Sequence, residues 1–402
     1  MKILFLSELF YPHGGGAGYA TYLIAKELAK ASHEVRVVTN SFECEPERSL
    51  MDGFSIIRKP LLSNPNSVKY SMLLQGGTFS GRWLAELVGW SDVVYVPRYW
   101  YSCIPLIKKL GKPLIVHLHD YIPICPVANL FDSRSNQVCL ERGCSARCIY
   151  SYERLKGASE LKSSMSSVLN STIGRYMGWM IRGSDAVVCV SNSQKQLITD
   201  RVPELKIKSS VIYNPLPDLQ LIPMRKKGFA YFGGASPMKG FHILAQSIPK
   251  VQNESFKVKA AGFRDANWSG SLLDKRVDIL GWVSEKDLSE VYSEVNAVLV
   301  PSIWAEPAPY VVYEAILRGR LVIGSRIGGI SEQLDGYEGC MLVEPGNPFD
   351  LADKIERMLE LDLGEAQGFA DSNRDKLIKT DHNRRLVKGF ESLMNRLVTA
   401  SK

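Results

Sequence analysis

Apolar runs of strand length alternate with helix-like segments along this chain, and the alternation occurs twice. The first series runs through "KILFLS", "GYATYLIAKELAK", "HEVRVVT", "DVVYV", "CIPLIKKLGK", "PLIVHLH", "DAVVCVS", "SQKQLITD" and "SSVIY". Short apolar runs bounded by Gly, Pro, Ser and Asp and separated by helical patterns indicate βαβ units in a parallel sheet. The series stops in "NPLPDLQLIPMRKKG", where Pro215, Pro217, Pro223 and a basic cluster leave little room for regular structure. It restarts with "FAYFGG", "GFHILAQSIPKV", "FKVKAAG" and "VDILGW", and continues through "NAVLVPS", "PYVVYEAILRG", "RLVIGS" and "PFDLADKIERMLEL". The pattern predicts an α/β chain of two Rossmann-like, doubly wound parallel-sheet domains facing a cleft at the carboxyl ends of their strands. The expected boundaries are 1–214 for the amino-terminal domain, 215–227 for the linker and 228–382 for the carboxyl-terminal domain. The amphipathic "NRRLVKGFESLMNRLV", within 383–402, is expected to pack back on the first domain.

A chain of 402 residues with 45% hydrophobic residues has the material for two cores. No run approaches the ~18 apolar residues of a membrane span, and the amino terminus has no secretory pattern. The expectation is a cytoplasmic protein, placed at the inner face of the membrane if its surplus of basic residues meets anionic lipid. The net charge of +7 is scattered, which reads as a solvated surface or as a basic face for lipid or a phosphorylated substrate. Neither a zinc finger nor an aromatic-basic pattern is present, so nucleic acid is not an expected partner.

"PHGGGAG" (residues 12–18) lies between the first strand and the first helix. Glycine there lets a ligand approach main-chain N–H groups, and a helix amino terminus suits a phosphate. The dinucleotide fingerprint needs G-x-G-x-x-G and an acid about 20 residues on. Gly16, Gly18 and Thr21 break that spacing and the second strand ends in Val38, Thr39 and Asn40, so NAD is not expected.

The most informative stretch is "VPSIWAEPAPYVVYEAILRGRLVIGSRIGGISE", in which Glu306 and Glu314 stand eight apart across a helix start. An acid there is often only a favourable charge–dipole arrangement. The ordered set Pro301, Ser302, Glu306, Glu314, Gly319, Gly328, Gly329 and Glu332, however, resembles the signature of retaining nucleotide-sugar glycosyltransferases with the GT-B fold, the family 4-like group with a Glu-x7-Glu motif. The resemblance spans nearly the whole chain. Gly14, Gly15 and Gly16 match the family's amino-terminal glycine loop, and His119 in "VHLHD" its inner-strand histidine. "YFGGASPMKGFHIL" matches a stretch that holds the donor diphosphate with an Arg and a Lys. Lys239 is present, whereas Gly234 occupies the Arg position, leaving Arg264 as a candidate substitute.

The resemblance implies a metal-independent transfer of a hexose-type sugar from a UDP- or GDP-sugar to a glycan or lipid-linked acceptor. It assigns Lys239, Glu306 and His119 to the reacting centre: Lys239 to the leaving diphosphate, Glu306 to sugar hydroxyls and His119 to the donor sugar. Donor binding falls to Gly15, Gly16, Gly234, Ala308, Tyr310, Val311 and Glu314, with Glu314 on the ribose and Trp282 and Val283 near the base. Trp282 reads equally as a core aromatic, and His119 also reads as a satisfied core histidine. No Asp-x-Asp, the usual holder of a bridging Mg²⁺, occurs.

Eight cysteines include Cys125, Cys139, Cys144 and Cys148 in one loop, spaced for a structural zinc site, for unliganded thiols or for disulfides. Acceptor choice is expected in the first half, where "SNPNSVKYSMLLQGGTFSGRWLAELVGW" and the segment around Met177, Trp179 and Met180 are least regular. With Arg175 and Arg182 beside it, that second segment reads as core or as a membrane contact. A sugar-nucleotide epimerase and a non-catalytic sugar-nucleotide sensor of the same fold are the competing readings; the match around Glu306 speaks against the first, and the presence of Lys239 and His119 against the second.

Overall fold

The computed structural model describes residues 1–42, 45–60, 82–135, 137–139, 146–155, 157–263 and 274–401. They form two compact units. Met1–Ser135, Cys139–Leu216 and Asn383–Lys402 make the first, and Asn136–Val138 with Pro217–His382 the second.

The first unit is built on strands β1 (Lys2–Leu6), β2 (Glu34–Asn40), β3 (Arg48–Met51), β4 (Phe54–Lys59), β5 (Val93–Val96), β6 (Leu114–Leu118), β7 (Ala186–Cys189) and β8 (Ser209–Val211). They lie in the order β8-β7-β6-β5-β1-β2-β4-β3. Every residue of β5, β6 and β7 is buried, because helices cover both faces of a parallel sheet and its strands then read as continuous apolar runs. The antiparallel edge strand β3 joins β4 through Asp52 and Gly53, both at positive φ, as a tight two-residue hairpin turn requires. The Gly15–Lys30 helix buries Ile24, Ala25 and Leu28 against this sheet. From the far end of the chain, the His382–Ala400 helix brings Leu386, Phe390, Leu393 and Met394 into the same core as Ile3, Phe5 and Tyr95. Their spacing puts them on one helical face.

The second unit holds β9 (Phe229–Tyr231), β10 (Val258–Ala261), β11 (Val277–Gly281), β12 (Ala297–Val300), β13 (Leu321–Ser325) and β14 (Met341–Val343). They run in the order β11-β10-β9-β12-β13-β14, all parallel. The proline-rich stretch before β9 has no regular element but is held in place. The fully buried Arg320 guanidinium donates to the carbonyls of Ile222 at 2.8 Å, Pro223 at 3.2 Å and Tyr292 at 2.7 Å.

In each sheet strand addition passes from one side of the first strand to the other: between β1 and β5 in the first, between β9 and β12 in the second. The crevice outside the carboxyl ends of strands at such a reversal is where open α/β sheets take their ligands.

Candidate functional site

In the second unit, β9 leads through Gly233 and Gly234 into the Pro237–Lys239 turn. Gly240 ends that turn at φ 78°, and a Cβ there would lie 1.8 Å from the Pro301 carbonyl oxygen, so the turn sits directly on the end of β12. The Ile303 N–H donates to the Met238 carbonyl at 2.9 Å and fixes the register. The outcome is that Lys239 Nζ lies 2.6 Å from Glu306 Oε2. The Ser302 hydroxyl donates to the other carboxylate oxygen. Glu306 is almost wholly buried, whereas the Lys239 side chain is 36% exposed and stands 5.8 Å from the Trp304 ring centroid. A buried carboxylate with two donors thus holds an ammonium that reaches solvent.

The pair Gly328–Gly329 follows β13 and supports the acid from behind. The Gly329 N–H donates to the Glu306 carbonyl at 2.7 Å. A Cβ at Gly328 would fall 2.4 Å from that carbonyl oxygen, and one at Gly329 2.0 Å from the Pro307 oxygen. Any side chain at either position displaces the loop that carries Glu306.

Glu306 lies four residues before the Tyr310–Leu317 helix and Glu314 inside it, so the two acids stand on either side of the helix start. Pro307 and Pro309 keep the intervening chain out of the helix, because a proline disfavours the helical conformation in the residue before it, and Pro309 itself is extended. Pro309 offers this helix no side-chain cap, and first-turn N–H groups have no intrahelical acceptor. Ala308, Tyr310 and Val311 surround this helix start, each half-buried. Glu314 is the fifth residue of the helix; burial raises its carboxyl, with Arg318 opposing.

Gly234 explains the missing arginine: at φ 59°, a Cβ there would lie 2.4 Å from the Gly262 carbonyl oxygen. Arg264 lies outside the described residues. Trp282, directly after β11, is 84% exposed and is therefore not a core residue, and Val283 beside it is half-buried. Trp282 follows a strand end that is tied to β10 through the Gly262 N–H and the Gly281 carbonyl at 2.8 Å.

In the first unit, Gly14 caps the Gly15–Lys30 helix at φ 89°. Gly15 and Gly16 therefore form its first turn, where the sequence pattern placed a loop. A Cβ at either would meet no atom within 4 Å, so this turn faces open space. Arg98, two residues beyond β5, donates to the Gly14 carbonyl at 2.6 Å. Its Nε lies 3.1 Å from an oxygen of the fully buried Glu8, two residues beyond β1. Burial pushes the Glu8 carboxyl up to about 7, against the pull of Arg98. His119 follows β6, its ring 4.4 Å from that of His117. Burial, reinforced by Arg98, pushes His119 down to about 3, and its buried Nε2 has no hydrogen-bond partner among the described residues. Sequence reasoning passed over Glu8 and Arg98. Their signal was an acid inside "FLSELF" and a base inside "VPRYW", both at strand ends.

Of the cysteine loop, Cys125 and Cys148 are buried and Cys139 is half-buried. Among the described residues no group of three or more His, Cys, Asp or Glu side chains is placed to hold a metal ion. Cys144 lies outside the described residues, as does most of the "SNPNSVKYSMLLQGGTFSGRW" stretch. None of the described helices is long and apolar enough to cross a membrane.

A family model described as glycosyltransferase family 4 matches residues 14–218, and one described as glycosyl transferases group 1 matches residues 226–361. The chain belongs to this glycosyltransferase family. An uncharacterised glycosyltransferase of Methanocaldococcus jannaschii is 25% identical to it over 397 residues, covering 89% of each chain. Sucrose-phosphate synthase from Thermosynechococcus elongatus matches with a TM-score of 0.72 at 16% identity, covering 99% of each chain. Anabaena HepE, solved in complex with UDP-glucose, matches with a TM-score of 0.61 at 17% identity, covering 98% of this chain and 100% of that one. These likenesses give the glycosyltransferase its GT-B fold.

Proposed function

We propose that the chain is a retaining hexosyltransferase that moves a sugar from a UDP- or GDP-sugar to a glycan or lipid-linked acceptor. The observation that carries this reading is the Lys239–Glu306–Ser302 set at the strand-order reversal of the second sheet. The UDP-glucose bound to HepE supports a nucleotide sugar as the donor class.

Breaking the bond between the anomeric carbon and the diphosphate develops positive charge on the sugar ring and negative charge on the leaving group. Lys239 and the amino-terminal turn of the Tyr310–Leu317 helix are the groups that stabilise the leaving charge, as fixed donors aimed at charge that grows in the transition state. On donor binding Lys239 exchanges Glu306 for the diphosphate. Glu306, still held by Ser302, then accepts hydrogen bonds from donor-sugar hydroxyls. The backbone of Ala308, Tyr310 and Val311 runs beside sugar and phosphate, where Pro309 donates nothing. Glu314 accepts from the ribose hydroxyls, and Trp282 and Val283 hold the base.

Gly15, Gly16 and Gly234 give backbone access, and neutral His119 meets a sugar hydroxyl through its imidazole nitrogen. As the bond from the anomeric carbon to the phosphate oxygen breaks, the acceptor oxygen bonds to the same face of that carbon. The acceptor proton passes to the departing phosphate oxygen, so configuration is kept without a covalent sugar–enzyme adduct. No step calls for a metal ion. Incubation with a panel of nucleotide sugars tests the reading: release of nucleoside diphosphate from a UDP- or GDP-sugar is expected, and no release from any donor, with or without acceptors, contradicts it.

A further inference from the structure

The Glu160–Arg182 helix of the first unit carries an apolar stripe turned to solvent. Leu161, Met165, Val168, Tyr176 and Trp179 are 73%, 66%, 65%, 49% and 62% exposed, and at about 100° per residue they fall on one face. Tyr176 and Trp179 stack at 5.9 Å. Met177 and Met180, on another face, are buried, so core packing accounts for those two and not for Trp179. Large apolar side chains exposed along one face, interrupted only by Thr172 between Val168 and Tyr176, mark contact with something apolar.

Gly174 and Gly178 bring the same helix hard against the loop after β6. A Cβ at Gly174 would lie 2.4 Å from Pro126, and one at Gly178 3.1 Å from the Pro123 oxygen. Arg175 and Arg182, two turns apart, lie between this close contact and the stripe. Here a cavity of about 240 Å³ opens, and the described residues that line it include Arg175, Arg182 and Arg201 together with Ile122, Ile124 and Val202. Its volume falls below the roughly 300–1,000 Å³ of sites for drug-sized ligands and suits a small headgroup. Arg201 is oriented by donating to the Leu197 carbonyl at 3.1 Å and the Cys139 carbonyl at 2.9 Å. Lys208 adds a cation at the helix end, donating to the carbonyls of Arg182 and Ser184.

We propose that this cavity binds the phosphate of an anionic phospholipid headgroup, with the Leu161–Trp179 stripe seated in the interfacial layer beside it. Guanidinium groups match phosphate oxygens in planar, two-pronged contacts. A stripe holding Trp and Tyr next to a basic rim is the composition of a helix that lies in an anionic interface. A free phosphate would satisfy the arginines and leave the stripe bare. A second copy meeting face to face would set Arg175 and Arg182 against their own counterparts. The inference is independent of the transfer reaction, since it requires neither donor nor acceptor.

Co-sedimentation of the full chain with vesicles tests it. Binding to vesicles of phosphatidylcholine with phosphatidylglycerol should exceed binding to phosphatidylcholine alone by about tenfold or more. Arg175→Ala/Arg182→Ala should abolish that preference with the melting temperature kept, and Trp179→Ser should weaken binding to both vesicle types. Raising the salt should release the parent protein from the anionic vesicles, which tests the charge term without any variant. No preference for anionic vesicles, a preference insensitive to salt, or parent-like binding by a folded double variant overturns the proposal. Two further outcomes also overturn it: arginine-dependent binding of glycerol phosphate without vesicle binding, and a Trp179→Ser change in oligomeric state with vesicle binding intact.

Discussion

Where strand order reverses in the first sheet, Arg98 meets Glu8 at 3.1 Å with the carboxylate fully buried; where it reverses in the second, Lys239 meets Glu306 at 2.6 Å with the ammonium reaching solvent. Arg98 is committed twice, to Glu8 and to the Gly14 carbonyl, so it fastens the glycine turn to β5. Lys239 has a flexible stem and its partner has Ser302 as a second donor, so the lysine can leave without stripping the buried acid of every contact. The same position in two related sheets therefore yields a fixed structural pair in one unit and an exchangeable cation in the other. Exchange is what the diphosphate role proposed for Lys239 requires.

The largest effect that could break this comparison belongs to Arg98→Ala. At pH 8 it should destabilise the chain by roughly 3–5 kcal/mol, because it leaves a buried charge without its partner. At pH 5, where Glu8 is protonated, the loss should shrink, and equal losses in urea unfolding at the two pH values would contradict the assignment. Lys239→Ala should slow sugar transfer by ~10²-fold or more, about 2.7 kcal/mol, while disturbing stability far less than Arg98→Ala. Transfer at the parent rate would remove Lys239 from the mechanism.

Glu8 sharpens the contrast through pH. Its folded value of about 7 lies above its ordinary 4.5, so the folded state holds the extra proton and stability falls as pH rises through that window. Glu8→Gln should flatten that part of the stability profile; an unchanged slope would show that another group titrates there. The smallest effect is expected for Glu314→Ala, which should weaken nucleoside diphosphate binding roughly threefold to tenfold, the worth of about one hydrogen bond. Calorimetry reads this directly, and parent affinity would free Glu314 from its role.

The sheets were legible because fully buried parallel strands must be largely apolar runs, and β5, β6 and β7 are that with the single exception of His117 in β6. Gly328 and Gly329 were legible as a motif, but the reason for them, a backbone approach to Glu306 and Pro307, became visible only in three dimensions. The two ion pairs were not legible. Glu8 and Arg98 are 90 positions apart, Lys239 and Glu306 67, and no local pattern links residues that only the sheet order brings together. The exposure of Trp282 escaped for a related reason: a large aromatic beside a strand reads alike whether it closes a core or caps a strand end.

Calorimetric titration of the parent, Lys239→Ala and Glu8→Gln with UDP and with GDP measures the difference between the two reversals most directly. One nucleotide should bind per chain, at least tenfold more weakly in Lys239→Ala and with parent affinity in Glu8→Gln. Undiminished binding by Lys239→Ala, or a loss confined to Glu8→Gln, would place the nucleotide in the wrong unit for this account.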